Sequence, residues 1–151
     1  MTVATALDNP VWHALTGPHA RLALGRGKAR HYPRDMAPFS AIAEATPAAY
    51  ADLAADLPPG TEARLFRPTN ERVPPGWEVM SARPILQMVA AGDELPPASP
   101  IDDRIVELCP ADVPGMLGLV DASKPGPFWS KTRELGLWVS MSGSGISGMV
   151  S

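Results

Sequence analysis

Ile105-Val106-Glu107-Leu108-Cys109-Pro110-Ala111-Asp112-Val113-Pro114-Gly115-Met116-Leu117 is the stretch on which the reading of this chain turns. Its first part, residues 104–109, is a short aliphatic run and reads as a strand. Pro110 ends it, and Pro110-Ala111-Asp112 opens a helix whose apolar face is Val113, Met116, Leu117 and Val120. Downstream, Pro125-Gly126-Pro127 is a loop, residues 130–135 a helical turn, and residues 137–141 a second strand. Ser142-Gly143-Ser144-Gly145 then reads as a hairpin turn, with residues 146–150 as the returning strand.

Upstream of this unit, residues 92–103 carry Pro96, Pro97 and Pro100 among acidic residues with no apolar periodicity, and read as a linker. The part before it, residues 1–91, has its own elements. Asp8 or Asn9 caps a helix with Pro10 at its first position and Val11, Trp12 and Leu15 on its apolar face. Leu22 and Leu24, then Ala29 and His31, read as two strands joined by a hairpin turn at Gly25-Arg26-Gly27-Lys28. Phe39, Ile42 and Ala43 suggest a helical turn. Thr46 and Pro47 open the clearest helix, with Tyr50, Leu53, Ala54 and Leu57 on one face and Pro58-Pro59-Gly60 as its stop. Ala63 and Leu65 alternate with Glu62 and Arg64 as a strand would. Residues 77–90 read as an extended run with Ile85, Leu86, Met88 and Val89 buried. The fold class is therefore α+β, with a mixed, mostly antiparallel sheet and flanking helices, divided as 1–91, 92–103 and 104–151.

Hydrophobic residues are 45% of the chain and charged residues 19%, a globular composition rather than a disordered one. A net charge of -3 gives no electrostatic reason to expect nucleic acid as a partner. No window approaches the roughly 18 apolar residues of a membrane span. The N-terminus lacks a signal-peptide pattern, and a single cysteine excludes an internal disulfide. These features point to a cytoplasmic protein that meets neither membrane nor nucleic acid.

The chemistry-bearing residues are sparse. His13, His19 and His31 have no cysteine neighbours and no shared helical face, so no metal site is expected. They read as one partly buried helix histidine and two surface ones. Cys109 reads as a small buried hydrophobe at the end of its strand. Ser142 to Gly145 lacks the order and the strand-to-helix context of a nucleophile elbow. Asp56, Glu62, Glu71 and Glu78 show no pairing suited to acid–base work. Phe128 and Trp129 stand out, because two adjacent large aromatics in a Pro-rich loop are hard to bury together.

The 105–117 stretch, followed by Pro125-Gly126-Pro127-Phe128 and Thr132-Arg133-Glu134-Leu135-Gly136, resembles the opening of the catalytic domain in bacterial GNAT-type N-acetyltransferases. Asn9-Pro10-Val11-Trp12-His13-Ala14-Leu15, Leu22-Ala23 and Ile85-Leu86-Gln87-Met88-Val89 resemble that group's N-terminal region. The resemblance implies a GNAT-like fold and acetyl transfer from acetyl-CoA, as cosubstrate, to a small-molecule or peptide amine, with no metal. It implies that the loop of Phe128 and Trp129 borders the acceptor pocket, which leaves two readings of these rings: as candidate lining of that pocket or, the preferred one, as anchors of the loop in the core.

The family's pyrophosphate loop, Gln/Arg-x-x-Gly-x-Gly/Ala, has no counterpart in residues 1–151. Arg21-Leu22-Ala23-Leu24-Gly25-Arg26-Gly27 is one residue too long and sits between two predicted strands, without the helix whose dipole would face a phosphate. The expectation is a truncated second unit, with no catalytic or cofactor-binding residue in this chain, no tight acetyl-CoA binding and no turnover by the chain alone. Residues 8–91 are expected to fold by themselves, and residues 105–151 to be loose, or paired between two copies through an exposed C-terminal strand. The alternatives are a non-catalytic GNAT-like module that binds a partner or small ligand, and a poorly stable product of a premature stop.

Overall fold

Thr46 begins the best-defined helix for a local reason. Its backbone is extended, its hydroxyl oxygen accepts from the Ala49 N–H at 3.3 Å, and Pro47 supplies a pre-set φ without losing a needed donor. In this computed structural model, which describes residues 3–89, 104–141 and 149, that helix is α3 (Pro47–Asp56). It follows α1 (Val3–Asp8), α2 (Pro10–Thr16), β1 (Ala29–His31) and β2 (Ser40–Ile42), and precedes β3 (Ile105–Glu107), α4 (Val113–Ser123) and β4 (Val139–Met141). The linker read at 92–103, the Ser142–Gly145 turn and the 146–150 strand lie outside the described residues.

The chain divides into two compact units, the first of Met1–Arg34 with Pro38–Gln87, the second of Asp35–Ala37 with Met88–Ser151. The class is α+β with antiparallel pairing, as the sequence indicates. In the first unit β1 and β2 pair antiparallel, Ala29 opposite Ile42 and His31 opposite Ser40. Ala29, Ile42, Ala49, Tyr50 and Leu53 form the core beneath α3, with Leu57, Ala63, Leu65, Val73 and Trp77 packed around it. Val11 and Leu15 of α2 are buried as read. In the second unit β3 and β4 pair antiparallel, Ile105 opposite Met141, and among the described residues Met36, Ala37, Leu108 and Met116 of α4 are its buried apolar residues.

Several expectations fail. Phe39, Ile42 and Ala43 belong not to a helical turn but to β2 and its flanks, because the segment is drawn into pairing with β1 and, through Ser40 N–H, with the Arg64 carbonyl at 3.0 Å. Leu22 lies in a short 3-10 turn, Ala20–Leu22, so only Leu24 bridges to His31 on the far side of the hairpin turn. Residues 62–65 form a bridge at Arg64 to Phe39 rather than a strand. Ala54 faces solvent, and the buried stripe of α3 is Ala49, Tyr50 and Leu53. The apolar run near residue 85 is exposed: Ile85 60%, Leu86 97%, Met88 99% and Val89 58%.

Asn9 shows why short elements suffice. It precedes α2 without capping it through its side chain; instead its buried amide donates to the Ile42 carbonyl at 2.8 Å. The same carbonyl accepts from Arg67 Nη1 at 3.1 Å, and Arg67 is paired with Glu71, which accepts from the Tyr50 hydroxyl at 3.4 Å. The end of β2 is thus closed by side chains from the residue ahead of α2 and from the loop after α3.

The turn at 25–28 is closed in a similar way. The Asp52 carboxylate accepts from the Lys28 N–H at 2.8 Å, and Gly27 sits at φ +51, where a Cβ would press into that carboxylate. Gly27→Ala should therefore lower stability by about 1–3 kcal/mol, read from thermal or urea unfolding. The loss should shrink when the same change is made in an Asp52→Ala chain; an equal loss in both would show that the carboxylate contact is irrelevant. Asn9→Ala should cost about 1–3 kcal/mol by the same measurement, the range for an uncompensated buried hydrogen bond.

Candidate functional site

The second unit carries the one aromatic pair singled out from the sequence, and its geometry begins at Cys109. Pro110 ends the strand, so Cys109 becomes the residue ahead of a 3-10 turn, Pro110–Asp112, that leads into α4. Its N–H donates to the Asp112 carboxylate at 2.7 Å. That hydrogen bond, with a second from the Cys109 thiol, holds the Asp112 carboxyl below the usual aspartate range. The expectation of a buried Cys109 is wrong: its side chain is exposed, because a residue heading a turn points away from the strand that precedes it.

Helix α4 ends at Lys124, which adopts a left-handed conformation (φ 48, ψ 48) and returns its N–H to the Val120 carbonyl at 2.7 Å. The chain then doubles back so that Phe128 faces the stripe Leu117, Val120, Asp121 and Lys124. Together with Gly126 these residues line an open groove of about 540 Å³. Phe128 is fixed from its other side by Trp138, edge to face with ring centres 5.2 Å apart and planes at 89°. Trp129 does not line the groove. Its N–H donates to the Thr132 hydroxyl at 2.8 Å, and that hydroxyl donates to the Met36 carbonyl at 2.7 Å. Phe128 and Trp129 are thus separated in role by one buried threonine.

Two further contacts hold the short helix, Thr132–Leu135, in place. Arg133 donates through Nε and Nη2 to the Leu108 carbonyl at 3.0 and 2.8 Å. Lys131 pairs with Asp35 at 2.7 Å, which pulls the Asp35 carboxyl below its ordinary range. Thr132, Arg133 and Asp112 stood in the quoted stretches of sequence, but none of them was read there for these contacts. Each acts on a main-chain atom remote in the chain or on a local turn, and no motif announces such contacts.

The other sequence candidates lie in the first unit. Within the Arg21–Gly27 mimic, Arg21 and Leu22 lie in the 3-10 turn and Gly25–Gly27 in the hairpin turn read from the sequence. Its Lys28 N–H is taken by Asp52, and Arg26 pairs with Asp56 at 2.8 Å, so an internal carboxylate occupies the place an anion would need. His31 corrects another expectation: it is buried in β1, not on the surface, and its Nδ1 must donate to the Tyr32 carbonyl at 3.0 Å, since a carbonyl offers no proton. His19 Nδ1 lies 2.7 Å from the Tyr32 hydroxyl, whose pKa is raised by burial. Among the described residues no group of histidine, cysteine or carboxylate side chains could hold a metal ion, and no helix is long and apolar enough to cross a membrane.

No protein-family model matches the chain, and no curated protein matches it. Among solved structures, it is similar to a protein from Novosphingobium aromaticivorans DSM 12444 that is assigned to the GNAT family as an acetyltransferase. The two share 32% identity with a TM-score of 0.74, over 95% of this chain and 62% of that one. The GNAT resemblance seen in the sequence is thus shared by the fold, and this chain spans less than two thirds of that protein's length.

The depressed Asp112 carboxyl makes the start of α4 sensitive to acid. A carboxyl whose folded pKa is lowered contributes stability above its unfolded value, near ~4, and loses it as pH falls through the folded value. Asp112→Asn should therefore be less stable than the parent at pH 7, and the gap should close as the pH is taken below about 4. A gap that stays constant with pH would remove the ionised cap from the account.

Proposed function

We propose that this chain, similar in sequence and fold to a GNAT-family protein, serves N-acetylation, in which an amine attacks the thioester carbonyl of acetyl-CoA directly. The observation that carries this reading is the joint likeness of sequence and fold over 95% of the chain. In such a reaction the protein aligns two substrates and stabilises the oxyanion of the tetrahedral intermediate. Residues 1–151 offer the acceptor side of that arrangement: Phe128, with Leu117 and Val120, provides an apolar wall, while Asp121 and Lys124 provide charge at its rim. Trp129 contributes by anchoring the loop rather than by touching the acceptor.

The cofactor side is different. The one sequence that approaches the family's pyrophosphate loop is closed on itself by Asp52 and Asp56. The 151-residue chain by itself is therefore read as incompetent for tight acetyl-CoA binding, and hence for turnover.

Calorimetric titration of the 151-residue chain with acetyl-CoA, with CoA as control, should show no saturable heat at ligand concentrations up to about the millimolar range. Saturable micromolar binding would overturn the reading of the cofactor side. The chain should then be joined to the part of the Novosphingobium protein it does not match, in the order found there, and assayed with labelled acetyl-CoA against a panel of amines. Acetylation is expected, with Phe128→Ala raising the acceptor KM by about tenfold, a loss of roughly 1.4 kcal/mol, and leaving acetyl-CoA affinity unchanged. A folded product that binds acetyl-CoA yet acetylates no amine would sink the proposed activity.

A further inference from the structure

The second unit contains one piece of chain from far upstream. Asp35–Ala37 belongs to it, while the residues on either side, up to Arg34 and from Pro38 onward, belong to the first unit. Met36 and Ala37 are buried. The piece is laced to residues 131 and 132. The Lys131 N–H donates to the Asp35 carbonyl at 3.0 Å, the Lys131 ammonium pairs with the Asp35 carboxylate at 2.7 Å, and the Thr132 hydroxyl donates to the Met36 carbonyl at 2.7 Å.

Thr132 also closes the turn that precedes it. Its hydroxyl oxygen accepts from the Trp129 N–H at 2.8 Å, and its own N–H donates to the Trp129 carbonyl at 3.1 Å. This reciprocal pair fixes residues 129–132 as a closed turn, and Phe128 is the residue next to it in the chain. The buried hydroxyl is therefore used twice, once as acceptor and once as donor. Serine can do both; valine, of the same shape as threonine, can do neither. A residue that only filled space would need the volume of threonine and not its hydroxyl. We infer that Thr132, seated on the Met36 carbonyl, is a positioning residue for the acceptor. Acting through the Trp129 main chain, it holds Phe128 against Trp138, 5.2 Å between ring centres, and so sets how tightly the groove beside α4 takes an amine. The inference rests on the proposed reading of that groove as the acceptor side.

Three readouts on the parent, Thr132→Val and Thr132→Ser test this. In the 151-residue parent, the Trp129 amide should exchange its hydrogen about two orders of magnitude more slowly than an open peptide. Free exchange there overturns the inference, whether or not any variant folds. Nuclear Overhauser contacts between the Phe128 ring and the Trp138 indole should be present in the parent and in Thr132→Ser, and lost in Thr132→Val. A folded Thr132→Val that keeps them overturns it as well. In the joined protein described above, Thr132→Val should raise the acceptor KM by about tenfold, with kcat and the acetyl-CoA KM held within about twofold. Thr132→Ser should restore the parental acceptor KM. An unchanged acceptor KM in Thr132→Val, or a loss confined to kcat, overturns the inference. If the joined parent binds acetyl-CoA yet acetylates no amine, the proposed activity fails, and the hold of Thr132 on Phe128 is decided by the two measurements on the chain alone.

Discussion

The Ile42 carbonyl, at the end of a three-residue strand, accepts hydrogen bonds from two side chains that lie 33 and 25 residues away in the chain. That arrangement reflects a constraint acting on the whole molecule. Eighteen of the 151 residues are proline and donate no main-chain hydrogen, and each described strand is three residues long. Ladders this short leave main-chain groups over, and these need other partners. Side chains supply them: Asn9 and Arg67 on Ile42, Asp52 on Lys28, Arg133 on Leu108, Thr132 on Met36 and Asp112 on Cys109. Each such contact joins a polar side chain to a place where regular structure stops.

This explains which parts could be read from the sequence. Helix α3 was legible because its determinants are local: a threonine, a proline one residue later, and a proline pair beyond its end. Strands β3 and β4 were legible from their aliphatic runs. Strand β2 was not, because Phe39, Ile42 and Ala43 fit helical spacing for a single turn, and only the partner strand makes the segment extended. His31 and Cys109 exchanged their expected places for related reasons. One is carried inward by pairing with β2, and the other is turned outward by the proline that follows it. Ile85 and Leu86 were read as buried because aliphatic runs usually are. Hydrophobicity states a preference for burial, however, and does not provide the partner.

The aromatic pair of the second unit was half legible. Their adjacency in a Pro-rich loop marked Phe128 and Trp129 as a pair hard to bury together. What sorts them is the Thr132 hydroxyl, which fixes the loop so that Phe128 meets α4 and Trp138 while Trp129 is held by its main chain. In the same way, the sequence spacing argued against a phosphate loop at residues 21–27, and the structure supplies the physical counterpart, a carboxylate already seated against the turn. Similarity to a GNAT-family protein concerns the shared scaffold, whereas the carboxylate at this turn concerns one piece of it.

The exposed position of Cys109 at the head of the 3-10 turn has a stoichiometric consequence. A chain with one thiol forms at most one covalent bridge to a neighbour. Oxidation in storage can thus join these molecules in pairs but cannot string them into longer disulfide-linked chains, and a single maleimide dye would mark every molecule at the same point, beside the first turn of α4.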